Sequence, residues 1–416
     1  MKVSDTTTQG RLYISPSYQS MRPILCILKI FALNSNIEPT FKSSFVLLKY
    51  FCTSVTLGCI QFLCLYYKIV NVYINMDLSV WLSDMTQTIT DYFQYIVDLF
   101  FVYKYGRNIC LEYFKQYEKI DSYFDIDILY YIVLKRKLRN LIAFFVTIWL
   151  ISSLGDLVAW GITYGWMTPM VHSITYLFLF IKILTMLDLI AHVNHITFRL
   201  KIISNLVQNC YASVEVCPAG LMTDCIRNRN WLYPEAGADT FTHQISAYDS
   251  YEMKRLTKCY LTLTEQVAFI NKMYGFRILL NTVSLLLDMV KLTNVAIRIV
   301  IGSQRVIYNH GAYNYLPGVS GIMRLVTCCA IIIASVDQCE KAYRVREQII
   351  NVIDHLLIYK NPDESLRTAM LNFRSFLQER PIYFNMANFF TLNYSLLMSV
   401  ASIVVTYTII LLQNVK

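Results

Sequence analysis

Asp84, Asp91 and Asp98 recur every seven residues inside an otherwise apolar stretch. Seven residues is close to two helical turns, so the three carboxylates share one helix face. More polar groups sit in later apolar stretches: Asp156 and Trp160; His172, Thr175 and Tyr176; Asp288, Lys291, Asn294 and Arg298; and Arg324. Ionisable side chains in such surroundings are expensive, and they normally face one another or a wet cavity. Two chemistries fit. The groups could hold a small ligand, aromatic rings stacking on flat faces and carboxylates accepting from hydroxyls. They could instead form a structural network, with Asp288 paired to Lys291 one turn on, or Asp156 to Arg324. Catalytic patterns are missing, since the sequence has neither HExxH nor GxSxG. Cys210, Cys217, Cys225 and His243 are irregularly spaced, and His192 and His195 (HVNH) read as hydrogen-bonding groups at a helix end. No enzyme, cofactor or metal is expected.

A second stretch draws attention by lacking charge. Pro381 to Val415 contains no Asp, Glu, Lys, Arg or His, and a hydrocarbon core of about 30 Å needs only about 20 helical residues. Its front mixes Asn385, Asn388, Thr391, Asn393 and Ser395 with aromatics, while Leu396 to Leu412 is almost wholly apolar. Thr406, Ile410 and Gln413 fall on one face at i, i+4 and i+7. Such a stripe suits a helix lining a narrow aqueous path. A plain anchoring helix with two polar ends is the other reading.

The elements that must position these groups are transmembrane. Of 416 residues 56% are hydrophobic and only 16% charged, against about 25% charged in ordinary soluble domains. The net charge of +9 does not point to nucleic acid, because the basic residues are spread over several segments. Seven spans are expected: Ser44 to Tyr67, Leu78 to Tyr103, Asn140 to Trp160, Met167 to Val193, Met273 to Val300, Gly321 to Val336, and the uncharged final stretch. Between them, 28 of the 37 Lys and Arg lie on the N-terminal side and three on the other. The positive-inside rule then puts the N-terminus in the cytosol and the C-terminus outside. Residues 1–43 open the chain in the cytosol without a secretory signal, and 44–193 carry spans one to four. A cytosolic loop follows at 194–272, with an aperiodic insertion at 207–250 read as mobile. Spans five and six occupy 273–336. Residues 337–383 carry two amphipathic helical patterns, read as part of a cytosolic helical bundle, and 384–416 hold the last span and a short outer tail. Trp81, Trp160, Tyr164 and Trp166 sit where an outer aromatic belt would lie.

At Phe384 to Gln413 the pattern becomes specific. The run FFTLNYSLLMSVASIVVTYTIILLQ resembles the last span of insect gustatory receptors, whose signature is Thr-Tyr, five hydrophobic residues, then Gln-Phe. Here it reads Thr406, Tyr407, Thr408, Ile409, Ile410, Leu411, Leu412, Gln413, Asn414, with Asn414 in the Phe position and Thr408 less apolar than usual. Phe389, Phe390, Leu392, Asn393, Leu396 and Leu397 are similar to the family's lead-in. The resemblance implies a ligand-gated cation channel in the plasma membrane of gustatory sensory neurons, a homotetramer or a heteromer with other gustatory receptors. The last helix would line its pore, with Thr406, Ile410, Gln413 and Asn414 at the gate. A tastant would bind among the outer halves of the second to sixth spans, where Asp84, Asp91, Asp156, Trp160, Trp166, His172, Tyr176, Lys291, Asn294 and Arg324 are the expected contacts. The position held by Asn414 leans the ligand toward a bitter or feeding-deterrent plant compound, with a sugar, or a receptor signalling through cytosolic partners, as alternatives.

Overall fold

The computed structural model describes residues 15–34, 43–72, 78–105, 107–124, 126, 128–213, 250–301, 315–360 and 362–413. Among them are ten α-helices: α1 Pro16–Ile30, α2 Ser43–Tyr67, α3 Leu78–Lys104, α4 Arg107–Phe124, α5 Ile128–Tyr164, α6 Met167–Ser213, α7 Ser250–Ile301, α8 Leu316–Tyr359, α9 Glu364–Glu379 and α10 Tyr394–Gln413. A π-helical turn, Lys68–Val72, extends α2. Two short antiparallel strands, β1 Asn385–Met386 and β2 Phe390–Thr391, stand before α10.

Among the described residues, four helical stretches are long and apolar enough to cross a membrane: 47–72, 128–163, 167–210 and 316–359. At about 1.5 Å per residue, the longer ones extend well beyond a bilayer core. α10 is a shorter apolar helix. The faces of α3 and α7 are interrupted by charged residues that turn out to be paired inside the protein.

The chain divides into two units. The larger comprises Met1–Asn194, Phe269–Cys339 and Phe384–Lys416. Its centre is α6, where Ile183, Leu184, Met186, Leu187 and Ile190 are fully buried. α1 packs into the same unit through Met21, Ile24 and Leu28, all at zero exposure. Its start follows from local chemistry: Pro16 occupies the first turn and the Ser15 hydroxyl accepts from the Tyr18 amide at 3.1 Å.

The smaller unit comprises His195–Ala268 and Glu340–Tyr383. α9 buries Leu366, Ala369, Met370, Phe373 and Leu377, one face at helical spacing. The Tyr260 ring meets Phe373 and Phe376 edge-on, and its hydroxyl donates to the Arg380 carbonyl at 2.9 Å. Arg346 donates from Nε and Nη2 to the Leu377 carbonyl, which closes the end of α9. The start of the aperiodic insertion needs correction: α6 stays helical to Ser213. Ile203, Val207 and Cys210, at i, i+4 and i+7, continue its buried face. Residues 214–249, the rest of that insertion, lie outside the described residues.

Candidate functional site

Two constructions in the larger unit carry the polar groups picked out from sequence. The first is a ladder of buried ion pairs along α3. Asp84 is held by Lys68 at 3.1 Å and by Lys291. Asp91 lies 2.6 Å from Lys182, which also meets Asp288 at 2.5 Å, and Ser284 donates to Asp91 at 2.8 Å. Asp98 takes Arg277 at 2.8 Å and the Thr185 hydroxyl at 3.2 Å. Between these rungs the Gln94 amide donates to Asn281 at 2.8 Å, and Asn281 donates to the Lys182 carbonyl at 3.0 Å. The seven-residue period of the aspartates therefore becomes three rungs, each closed by a cation from another helix or from the π turn. Removing one member of such a buried pair strands its partner, at a cost of about 3–5 kcal/mol.

Asp156 on α5 is the hub of a second cluster. It accepts from Trp160 Nε1 at 3.1 Å, Tyr176 at 3.0 Å, Ser320 at 2.7 Å and Arg324 at 2.9 Å. The Arg324 guanidinium also lies 4.8 Å from the Tyr176 ring centroid. His172 stacks on Trp160 with ring centroids 6.4 Å apart. Asn294 accepts from Arg298 Nε at 2.9 Å. Trp166 is exposed and covers Gly161, where a Cβ would come within 2.8 Å of the indole.

Of the two pairings weighed from sequence, Asp156 with Arg324 forms. Asp288 instead takes Lys182 from α6, and Lys291 turns to Asp84. Lys182 was overlooked because it is a single charge in a long apolar run, LFLFIKILTML. That isolation is itself the signal, since a lone lysine there must meet an acid on another helix. Cys217, Cys225 and His243 lie outside the described residues.

The second construction is the lead-in to α10. β1 and β2 pair Asn385 with Thr391 and Met386 with Phe390, and the turn between them puts Ala387 and Asn388 at φ 51° and 62°. This turn is seated on α7. A Cβ at Gly275 would lie 2.9 Å from the Ala387 nitrogen and 3.0 Å from the Asn385 oxygen, so only glycine leaves room for the backbone. Asn271 Oδ1 accepts the Asn385 amide at 2.9 Å, and Thr282 donates to the Met386 sulfur at 3.6 Å. Phe384, Met386 and Leu392 are buried beneath. Asn393 Oδ1 then accepts the Leu396 amide at 3.2 Å and caps α10. The expected final segment 384–416 is thus helical only from Tyr394.

No described side chain of α10 is buried: Thr406, Ile410 and Gln413 are exposed and Tyr407 is half-buried. Asn414 lies outside the described residues. The hairpin, too, presents Phe389 and Phe390 at its surface, with exposures of 74% and 57%.

No protein-family model matches the chain, and no curated protein sequence matches it. Solved structures do. The olfactory receptor OR5 from Machilis hrabei matches over 95% of this chain and 98% of its own, with a TM-score of 0.58 at 13% identity. The same receptor in complex with eugenol matches over the same shares, with a TM-score of 0.52 at 14% identity. The chain has the insect olfactory receptor fold.

Proposed function

We propose that the protein is a gustatory receptor, a ligand-gated non-selective cation channel opened by a small tastant. The observation that carries this reading is α10: an uncharged apolar helix, long enough to cross most of a bilayer, with no described side chain buried within its own subunit. A helix of that kind needs other surroundings. Its Thr406–Ile410–Gln413 stripe suits an aqueous axis shared by four copies, while its remaining apolar residues suit lipid and neighbouring subunits. A ring of Gln amides passes cations with little selectivity, and a ring of Ile closes a pore by dewetting.

In this reading the chain crosses the plasma membrane of gustatory sensory neurons seven times, through α2, α3, α5, α6, α7, α8 and α10, with the N-terminus in the cytosol. The basic segments between spans support that orientation. Four chains make a homotetramer, or a heteromer with related receptors, and monovalent and divalent cations permeate. The ligand enters from outside among α3, α5, α6, α7 and α8, near Trp160, Trp166, His172, Tyr176, Asn294 and the paired Asp84, Asp91, Asp156, Lys291 and Arg324. Because those carboxylates are already neutralised by cations, the pocket favours a largely apolar, ring-bearing molecule carrying a few hydrogen-bonding groups. A bitter or deterrent plant compound fits that description better than a polyhydroxylated sugar. The Machilis hrabei receptor's complex with eugenol, a small phenol, is in keeping with it.

The test is whole-cell recording from cells expressing the chain alone, with plant alkaloids, phenols, sterols and sugars applied in turn. The reading expects a cation current evoked by one or more of the aromatic deterrents. Ligand binding without any current would favour a receptor that acts through cytosolic partners. Current evoked only by sugars would overturn the deterrent assignment.

A further inference from the structure

The ion-pair ladder ends unbalanced. Arg277 closes Asp98 at 2.8 Å, but one turn of α6 further on stands a second buried carboxylate, Asp188. This neighbourhood therefore holds one guanidinium against two carboxylates. Asp188 Oδ2 accepts the Tyr274 hydroxyl, while Oδ1 has no hydrogen-bond partner among the described residues. Arg277 does not reach it: its guanidinium lies over the Tyr274 ring, 4.9 Å from the centroid, and Nη1 and Nη2 make no hydrogen bond there.

Asp188 lines a cavity of about 30 Å³, together with Asn34, Tyr113, His192, Phe269 and Tyr274. Asn34 comes from the turn after α1. Its Nδ2 donates to the Leu25 carbonyl at 3.1 Å, which fixes the amide orientation, and its Oδ1 is a second buried acceptor with no partner among the described residues. His192 shares a 3.0 Å hydrogen bond with the Tyr113 hydroxyl, so it is already engaged with the opposite wall. The two side chains that supply the unused oxygens, Asp188 and Asn34, are 4% and 8% exposed. Two acceptor oxygens without a hydrogen-bond partner among the described residues, beside two carboxylates that share one guanidinium, describe the lining of a cation site. A cavity of this size holds one species about as large as a water molecule, and hard cations take oxygen ligands.

We propose that this cavity binds one small monovalent cation, sodium-sized, held by Asp188 Oδ1 and Asn34 Oδ1. The ion neutralises the surplus carboxylate and ties the turn after α1 to α6 and α7. It is separate from the pore and from the tastant pocket, and it gives the receptor a structural response to the cation in its surroundings.

The experiment uses the full-length chain purified in detergent, with thermal unfolding followed in sodium, potassium and choline chloride at equal ionic strength and fixed pH. An ion that binds only the folded state stabilises it by RT ln(1 + [ion]/Kd). The expected result is a melting temperature higher by about 2–4 °C in sodium than in choline. Asp188→Asn removes that difference. Asn34→Ala, which keeps the charge, reduces it and serves as the readout should Asp188→Asn not fold. Equal melting temperatures in sodium and choline overturn the proposal, as does a sodium effect that survives both substitutions. A stability that follows pH and ignores the cation means a proton occupies Asp188, and that result overturns the proposal as well. None of these readouts depends on channel activity, so a failed current recording leaves the site open to test.

Discussion

α6 and α10 are both strongly apolar helices of one chain, yet they meet opposite surroundings. In α6, 89% of the most apolar stretch is buried within the subunit, and its interior holds Lys182, Thr185 and Asp188. In α10 no described side chain is buried, and no charge is present. The helix that carries charge is the one wrapped in protein, because each charge there finds a partner. The helix left bare carries none, because lipid offers no partner. Apolar composition therefore says that a helix avoids water, and the distribution of its few charges says what surrounds it.

The largest effect should come from the wrapped helix. Lys182→Met leaves Asp91 and Asp288 facing each other without their shared cation and should cost about 3–5 kcal/mol. A membrane protein of ordinary stability, about 5–15 kcal/mol, would lose most of its folded yield. Monodisperse recovery after size exclusion measures it. Adding Asp91→Asn and Asp288→Asn should restore much of the yield, and failure to do so would show that Lys182 matters by shape and not by charge.

Gly275→Ala comes next and probes the joint between the two kinds of helix. Helix propensity alone favours the alanine by about 1 kcal/mol. The new Cβ, however, would press on the Ala387 nitrogen and Asn385 oxygen at 2.9 and 3.0 Å, an overpacking that costs about 1–3 kcal/mol. A net loss in melting temperature, with altered gating in recordings, is expected. A stabilised protein would mean that the hairpin yields freely and does not fix the start of α10. Asn393→Ala tests the same joint more gently, removing the cap at Leu396 for about 1 kcal/mol.

The wrapped half of the comparison was legible in sequence to a useful degree. Asp84, Asp91 and Asp98 announced a protected face by their period, and Asp156 and Arg324 announced each other as isolated opposite charges. The partner of Asp288 was misread because Lys291 is one turn away on the same helix, while Lys182 is 106 residues distant and reaches it only in the fold. Local geometry makes i, i+3 pairs conspicuous, but a buried charge takes whichever partner the packing supplies. α1 escaped notice because Lys29 and Pro23 break its apolar run; the spacing of Met21, Ile24 and Leu28 behind a Ser15–Pro16 start was the available signal. The hairpin before α10 left little trace, since its turn residues Ala387 and Asn388 sit in a run of uncharged side chains that reads as the front of a longer helix.

The bare half of the comparison is broken by a substitution that should hardly touch the folded subunit. Gln413 is exposed, so Gln413→Ala should change stability by no more than about 0.5 kcal/mol. If α10 lines a pore, the same change should alter conductance or selectivity severalfold in patch recordings, because a ring of identical side chains meets every permeating ion. Ile410→Ala should in addition raise the current without ligand, since a smaller side chain widens the dry constriction. The two variants together separate the readings of α10: normal permeation in both, with normal stability, would make it an anchor in lipid. A change in permeation with unchanged stability requires that the exposed face of this helix meets ions and not only lipid.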